Sequence, residues 1–130
     1  SIDLKPAFAM LAKAHVQAVS ALADVHLQQH APEIARLATR YRFPLMGFSP
    51  AWTQAGALLS YGAAVATDAN LVPYRQAASY VAKILRGARP ADLPIQQPTK
   101  FELVINQRVA KGLGLTVPQS VLLQADEIVQ

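Results

Sequence analysis

Three histidines, eight acidic residues and no cysteine are what this 130-residue chain offers for catalysis or metal binding. Asp24, His26 and His30 form the densest group. Histidines four residues apart share a helix face, which is one way to begin a metal site. No acidic residue stands between them and His15 lies well upstream, so the three or four ligands a zinc ion needs are not assembled. The group reads as the polar entrance of a helix, and no metal or cofactor is expected.

Nucleophilic catalysis fares no better. Ser60 sits in Ser60-Tyr61-Gly62, but a nucleophile elbow requires Gly-x-Ser-x-Gly and Leu58 occupies the first glycine position. Gly112-Leu113-Gly114 is too short for a phosphate-cradling loop and follows a helical pattern rather than a strand. Asp126 and Glu127 are adjacent, and neighbours on a helix point to different faces. The missing cysteines remove thiol nucleophiles, thiolate metal sites and disulfides. The sequence therefore predicts no catalytic residues.

The elements that would position these side chains alternate between helical and strand patterns. Asp3 is an N-cap candidate, with Pro6 in the first turn and Ala7, Met10, Leu11 and Ala14 on one stripe. Val16 to Ala23 reads as a short buried strand and Asp24 as a loop residue after it. Pro32 to Tyr41 is a helix with Ile34, Leu37, Ala38 and Tyr41 on one face. Phe43 to Phe48 is a second strand, Trp52 to Ala55 a short helix closed by Gly56, and Ala57 to Gly62 a third strand. A loop is expected over 63–70. Val72 to Arg86 is the clearest helix, its apolar face made by Val72, Tyr74, Ala77, Ala78, Val81, Ile84 and Leu85 and its end marked by Gly87. Pro90, Pro94 and Pro98 make residues 89–98 an extended connector. Thr99 to Asn106 is a half-exposed strand, Gln107 to Leu113 a short helix, and Val121 to Val129 a last helix opened by Pro118. The pattern specifies an α/β domain with a largely parallel sheet.

In such sheets ligands bind beyond the carboxyl ends of the strands. The candidates are then Asp24, Phe48 with Ser49 and Trp52, and Ser60, Tyr61 and Gly62. Aromatic rings, hydroxyls and one carboxylate suit a small polar solute with a flat group, and Asp24 could hold an ammonium. The same aromatics would serve equally as core or contact residues.

Composition narrows the partners. Hydrophobic residues make up 52% and charged residues 15%, which excludes a dominantly disordered chain. The net charge is +4, but the cations fall in two groups, Arg36/Arg40/Arg42 and Lys83/Arg86/Arg89, at helix ends where they complement the dipole. No basic stripe interleaved with aromatics marks a nucleic-acid surface. No apolar run approaches the ~20 residues of a spanning helix.

Several stretches, taken in order, resemble a known family: Glu33-Ile-Ala-Arg-Leu-Ala, Phe43-Pro-Leu-Met-Gly-Phe, Gly56-Ala-Leu-Leu-Ser-Tyr-Gly, Ala78-Ser-Tyr-Val-Ala-Lys-Ile-Leu-Arg-Gly-Ala-Arg-Pro-Ala-Asp-Leu-Pro, Gln97-Pro-Thr-Lys-Phe-Glu-Leu-Val-Ile-Asn and Ala110-Lys-Gly-Leu-Gly-Leu-Thr-Val-Pro. They are similar to the C-terminal portion of ABC-transporter substrate-binding proteins of the tryptophan or aromatic amino-acid type. The resemblance implies a Rossmann-like lobe of a type I periplasmic binding protein. It implies a small amino acid-like ligand held between two lobes, an ABC permease as partner and a periplasmic or cell-surface location. Asp24, Phe48, Ser49, Ser60, Tyr61 and Gly62 would face the cleft. The chain departs from the family pattern at Val25, Gln54 and Ala57. By the same resemblance the first lobe is missing, and residues 57–96 would belong to the other lobe. An uncovered Val72–Leu85 face beside a proline-rich connector would then favour self-association, through segments exchanged between protomers, as a homo-oligomer. On that alternative the chain is a truncated interaction module without transport function.

Overall fold

The computed structural model describes residues 3–63, 72–97 and 99–130. The elements run α1 (Leu4–Lys13), β1 (Val19–Ser20), α2 (Val25–Gln29), α3 (Ala31–Tyr41), β2 (Leu45–Gly47), α4 (Pro50–Ala55), β3 (Leu59–Ala63), α5 (Val72–Leu85), a 3₁₀ turn (Pro90–Asp92), β4 (Phe101–Asn106), α6 (Gln107–Leu113), α7 (Gln119–Leu122) and β5 (Glu127–Val129). The chain divides into two compact units, Ser1–Gly62 with Glu102–Gln130, and Ala63–Phe101.

The five strands form one sheet in the order β1-β2-β3-β4-β5. Val19 pairs with Leu45, Gly47 with Ser60 and Ile105 with Ile128, each in parallel register. The expected α/β architecture with a largely parallel sheet is what the chain adopts.

Local chemistry explains the helices of the larger unit. Asp3 caps α1 by accepting the Lys5 N–H, and Leu4 and Phe8, one turn apart, enter the core. In α3, Ile34, Leu37 and Ala38 stand at i, i+3 and i+4, with Ala31 and Ala35 filling the stripe. Arg42 ends α3 in the left-handed region at φ 59°, so that the Phe43 N–H reaches back to the Ala38 carbonyl at 2.8 Å. That reversal drops the Phe43 ring beside Phe8 and Tyr41, with centroids 6.4 and 6.0 Å away. The core runs from these rings through α3 to Leu45, Trp52 and Ala57.

The smaller unit is built on α5. Gly87, at φ 101°, closes the helix by donating to the Ile84 carbonyl. The Tyr80 hydroxyl donates to the Pro94 carbonyl and Lys83 lies 5.7 Å from the Tyr80 ring. Tyr74, Val81, Ile84 and Leu85 of the expected apolar face are exposed, Leu85 at 82%.

Four expectations need correction. The last helix does not run from Val121 to Val129: α7 ends at Leu122 and Glu127–Val129 is a strand. The Asp126 carboxylate accepts the Leu103 N–H at 2.8 Å while its own N–H donates to the Leu103 carbonyl at 2.9 Å, and this clasp recruits the chain end onto β4. Tertiary pairing outcompetes a weak helical preference there. The first strand shrinks to Val19–Ser20, because Asp24 acts as an N-cap and starts α2, a helix absent from the sequence reading. Residues 89–98 are not wholly extended: Pro90 opens a 3₁₀ turn closed by an Arg89–Asp92 ion pair at 2.8 Å. In β4 the buried run is Val104, Ile105 and Asn106, whereas Phe101 is exposed, so the strand is buried toward its carboxyl end rather than half-exposed along its length. The loop expected over 63–70 lies, beyond Ala63, outside the described residues.

Candidate functional site

Because β1, β2 and β3 are adjacent and parallel, their carboxyl ends share one edge of the sheet. There β1 passes into Asp24 and α2, β2 into Phe48, Ser49 and α4, and β3 ends at Gly62 and Ala63.

Asp24 is exposed and caps α2. Its Oδ1 accepts the N–H groups of His26 at 2.8 Å and Leu27 at 3.0 Å, while Oδ2 makes no hydrogen bond among the described residues. The carboxylate thus has a structural duty with half its acceptor capacity left over. Ser49 is the N-cap residue of α4, yet its hydroxyl does not cap that helix. It donates instead to Gln28 Oε1 at 3.3 Å, tying α2 to the turn after β2. Gln28 was not singled out from sequence. The available signal was its place one helical turn beyond the capping Asp24.

Phe48 lies partly buried, its ring 5.9 Å from that of Trp52. Trp52 is a core residue at 0% exposure, and its Nε1 has no partner among the described residues. A Cβ at Gly47 would overlap the Trp52 ring, so glycine lets α4 lie directly on β2. Gly62 is needed for a similar reason: a Cβ there would overlap the Phe48 carbonyl oxygen. The end of β3 is therefore pressed against the turn after β2.

Ser60 pairs with Gly47 in register and shares its face, which points toward Trp52. It is 1% exposed, and its hydroxyl, inside the helix-covered layer, has no partner among the described residues. Tyr61, the next residue, takes the opposite face and is 49% exposed. The edge thus gathers Phe48, Ser49 and Gly62, and Asp24 through Gln28, while Ser60 and Tyr61 diverge across the sheet.

Asn106, the last residue of β4, is buried at the opposite edge of the sheet, where its N–H donates to the carbonyl of Leu58 just before β3. Its Oδ1 accepts the Val109 N–H at 3.0 Å and caps α6, and its Nδ2 donates to the Thr53 carbonyl at 3.2 Å. One amide therefore locks α4 to the start of α6. Among the described residues no three histidine or acidic side chains gather closely enough to hold a metal.

A cavity of about 320 Å³ opens elsewhere, between the end of α3 and α6, lined by Thr39, Arg42, Arg108, Val109, Gly112 and Leu113. Arg42 donates to the Leu113 carbonyl at 3.2 Å, so a guanidinium there serves the end of a helix.

A family model described as "ABC transporter substrate binding protein" matches residues 1–129. A conserved domain protein from Vibrio cholerae is similar in structure, with a TM-score of 0.82, 29% identity, and 97% of this chain and 40% of that chain covered. The ABC domain from Streptococcus pneumonia in complex with L-Trp gives a TM-score of 0.80 at 23% identity, covering 97% and 41%. The ligand-free, open CD0873 of Clostridium difficile, a substrate binding protein with adhesive properties, gives 0.63 at 18% identity, covering 98% and 40%. The chain spans about 40% of the length of these solved chains. No curated protein matches it at significance.

Proposed function

The chain belongs to the ABC transporter substrate-binding protein family, and we propose that its larger unit supplies one wall of a cleft that holds a small, amino acid-like solute. The observation that carries this reading is the convergence of three strand ends, with Gly62 pressed on the Phe48 carbonyl and Ser49 tied to Gln28. Asp24 offers Oδ2 to a ligand ammonium. Phe48 and Tyr61 offer ring surface, and Ser49 and Gly62 shape the rim. Ser60, buried behind them, supports the strand rather than reaching the solute. The L-Trp held by the S. pneumonia domain supports an aromatic amino acid as the first compound to test. An ABC permease as partner, and a periplasmic or cell-surface location, follow as proposals from the family. No catalytic step is assigned to any residue.

A thermal-shift screen with the common amino acids tests the reading. A solute at a hundredfold excess over Kd adds about 2.7 kcal/mol of stability. Tyr61→Ala removes that shift. The absence of any shift across the panel sinks the proposal. A second reading, self-association as an interaction module without transport, draws support from the exposed Tyr74, Val81 and Leu85 of α5. Sedimentation as a folded monomer at micromolar concentration counts against it.

A further inference from the structure

We propose that Gln28 is a specificity-determining residue of this site and reads the carboxylate of the solute. The inference rests on the solute-binding reading above and assigns a role to a residue that reading does not use.

The argument begins with the orientation of one amide. Gln28 Oε1 accepts the Ser49 hydroxyl at 3.3 Å across a separation of 21 residues. With one lone pair of its oxygen engaged, the amide retains a second lone pair and the two N–H donors of Nε2. Neither donor finds a protein acceptor among the described residues, although Gln28 is only partly exposed. A half-sequestered amide with one of its two acceptor sites used and neither of its donors used leans toward donation. It favours an anionic acceptor, because hydrogen bonds to a charged group are the stronger ones.

Its neighbour supplies the opposite character. The Gln28 N–H donates to the Asp24 carbonyl at 3.0 Å, so the two residues sit one helical turn apart. Residues at that spacing share a face with Cβ atoms about 6 Å apart. Asp24 retains Oδ2 as an acceptor and Gln28 retains Nε2 as a donor. One turn of α2 therefore presents an anion and a donor side by side. An α-amino acid carries the complementary pair, ammonium and carboxylate, on a single carbon. The hydroxyl of Ser49 holds the glutamine in place, so Ser49 acts as a positioning residue.

Calorimetric titration of the chain with L-tryptophan, tryptamine and indole-3-propionate separates the two charges. The wild-type chain binds L-tryptophan tightest. Gln28→Met weakens L-tryptophan and indole-3-propionate roughly 10- to 100-fold, the range for losing a hydrogen bond to a charged group. Tryptamine falls by much less, so the ratio of L-tryptophan to tryptamine affinity drops. Gln28→Glu, which sets a second negative charge beside Asp24, reverses the ranking in favour of tryptamine. A thermal midpoint within the wild-type range shows that each variant folds. If a variant does not fold, the wild-type side-chain amide resonance of Gln28 gives the answer: it moves on adding L-tryptophan or indole-3-propionate and not on adding tryptamine. Equal weakening of all three compounds, or an unmoved resonance with L-tryptophan bound, overturns the role of Gln28 and leaves the solute-binding reading standing. Failure of the wild-type chain to bind any of the three overturns both.

Discussion

The helices around Trp52 and the helix α5 carry similar apolar patterns and meet opposite fates. Along α3, the residues at i, i+3 and i+4 are buried, and α4 contributes a tryptophan at 0% exposure. Along α5 the equivalent stripe stays exposed from Tyr74 to Leu85. An amphipathic period therefore says that a face wants cover, not that the same chain provides it. The strand-end region is also dense in contacts that tolerate no added atom, at Gly47 and Gly62. In the smaller unit Gly87 has open space around it, and an exposed ion pair holds the turn that follows α5.

The sharpest way to break this contrast is a pair of truncations. Trp52→Ala removes the largest fully buried side chain and costs about 3–5 kcal/mol in denaturant unfolding, whereas Leu85→Ala changes stability by less than ~0.5 kcal/mol. Comparable losses from the two would mean that α5 is buried in solution. Next in size is Gly62→Ala. The new methyl group must displace the Phe48 carbonyl, costing about 1–3 kcal/mol, while Gly87→Ala meets no neighbour and suffers only its left-handed φ. A lower urea midpoint for the first than for the second checks the order. The smallest effect is at the cap of α2: Asp24→Ala costs about 1 kcal/mol. Asp24→Asn keeps a side-chain oxygen for the cap and should recover most of that stability without restoring an anion for the solute. Equal solute affinity in Asp24→Asn and wild type would confine Asp24 to capping.

Much of the architecture was legible because it is written in local chemistry. Gly56 and Gly114 mark helix ends, Pro32 and Pro50 mark starts, and the stripe in α3 names its own core face. The range of α6, Gln107 to Leu113, is the one the sequence predicts, whereas the buried Asn106 cap that opens it comes from the fold. What stayed hidden depends on distant partners. Nothing near Glu127 announces a strand, since the signal is an Asp126 clasp to Leu103 across 23 residues. Composition likewise cannot reveal that Ser60 faces inward beside Gly47 while Tyr61 faces outward, because strand register decides it. Asp24 was visible as a carboxylate, but its work as a cap was not, and Gln28 became visible only once Ser49 stood beside it.

The sequence holds a single tryptophan, and it is the one sealed between α4 and β2 next to Phe48. Intrinsic indole fluorescence from this chain therefore comes from one place, the interior of the larger unit behind the strand ends. A melt followed by that emission tracks the loss of this interior. A spectroscopist thus has a reporter fixed by nature on the side of the molecule where the solute is proposed to arrive.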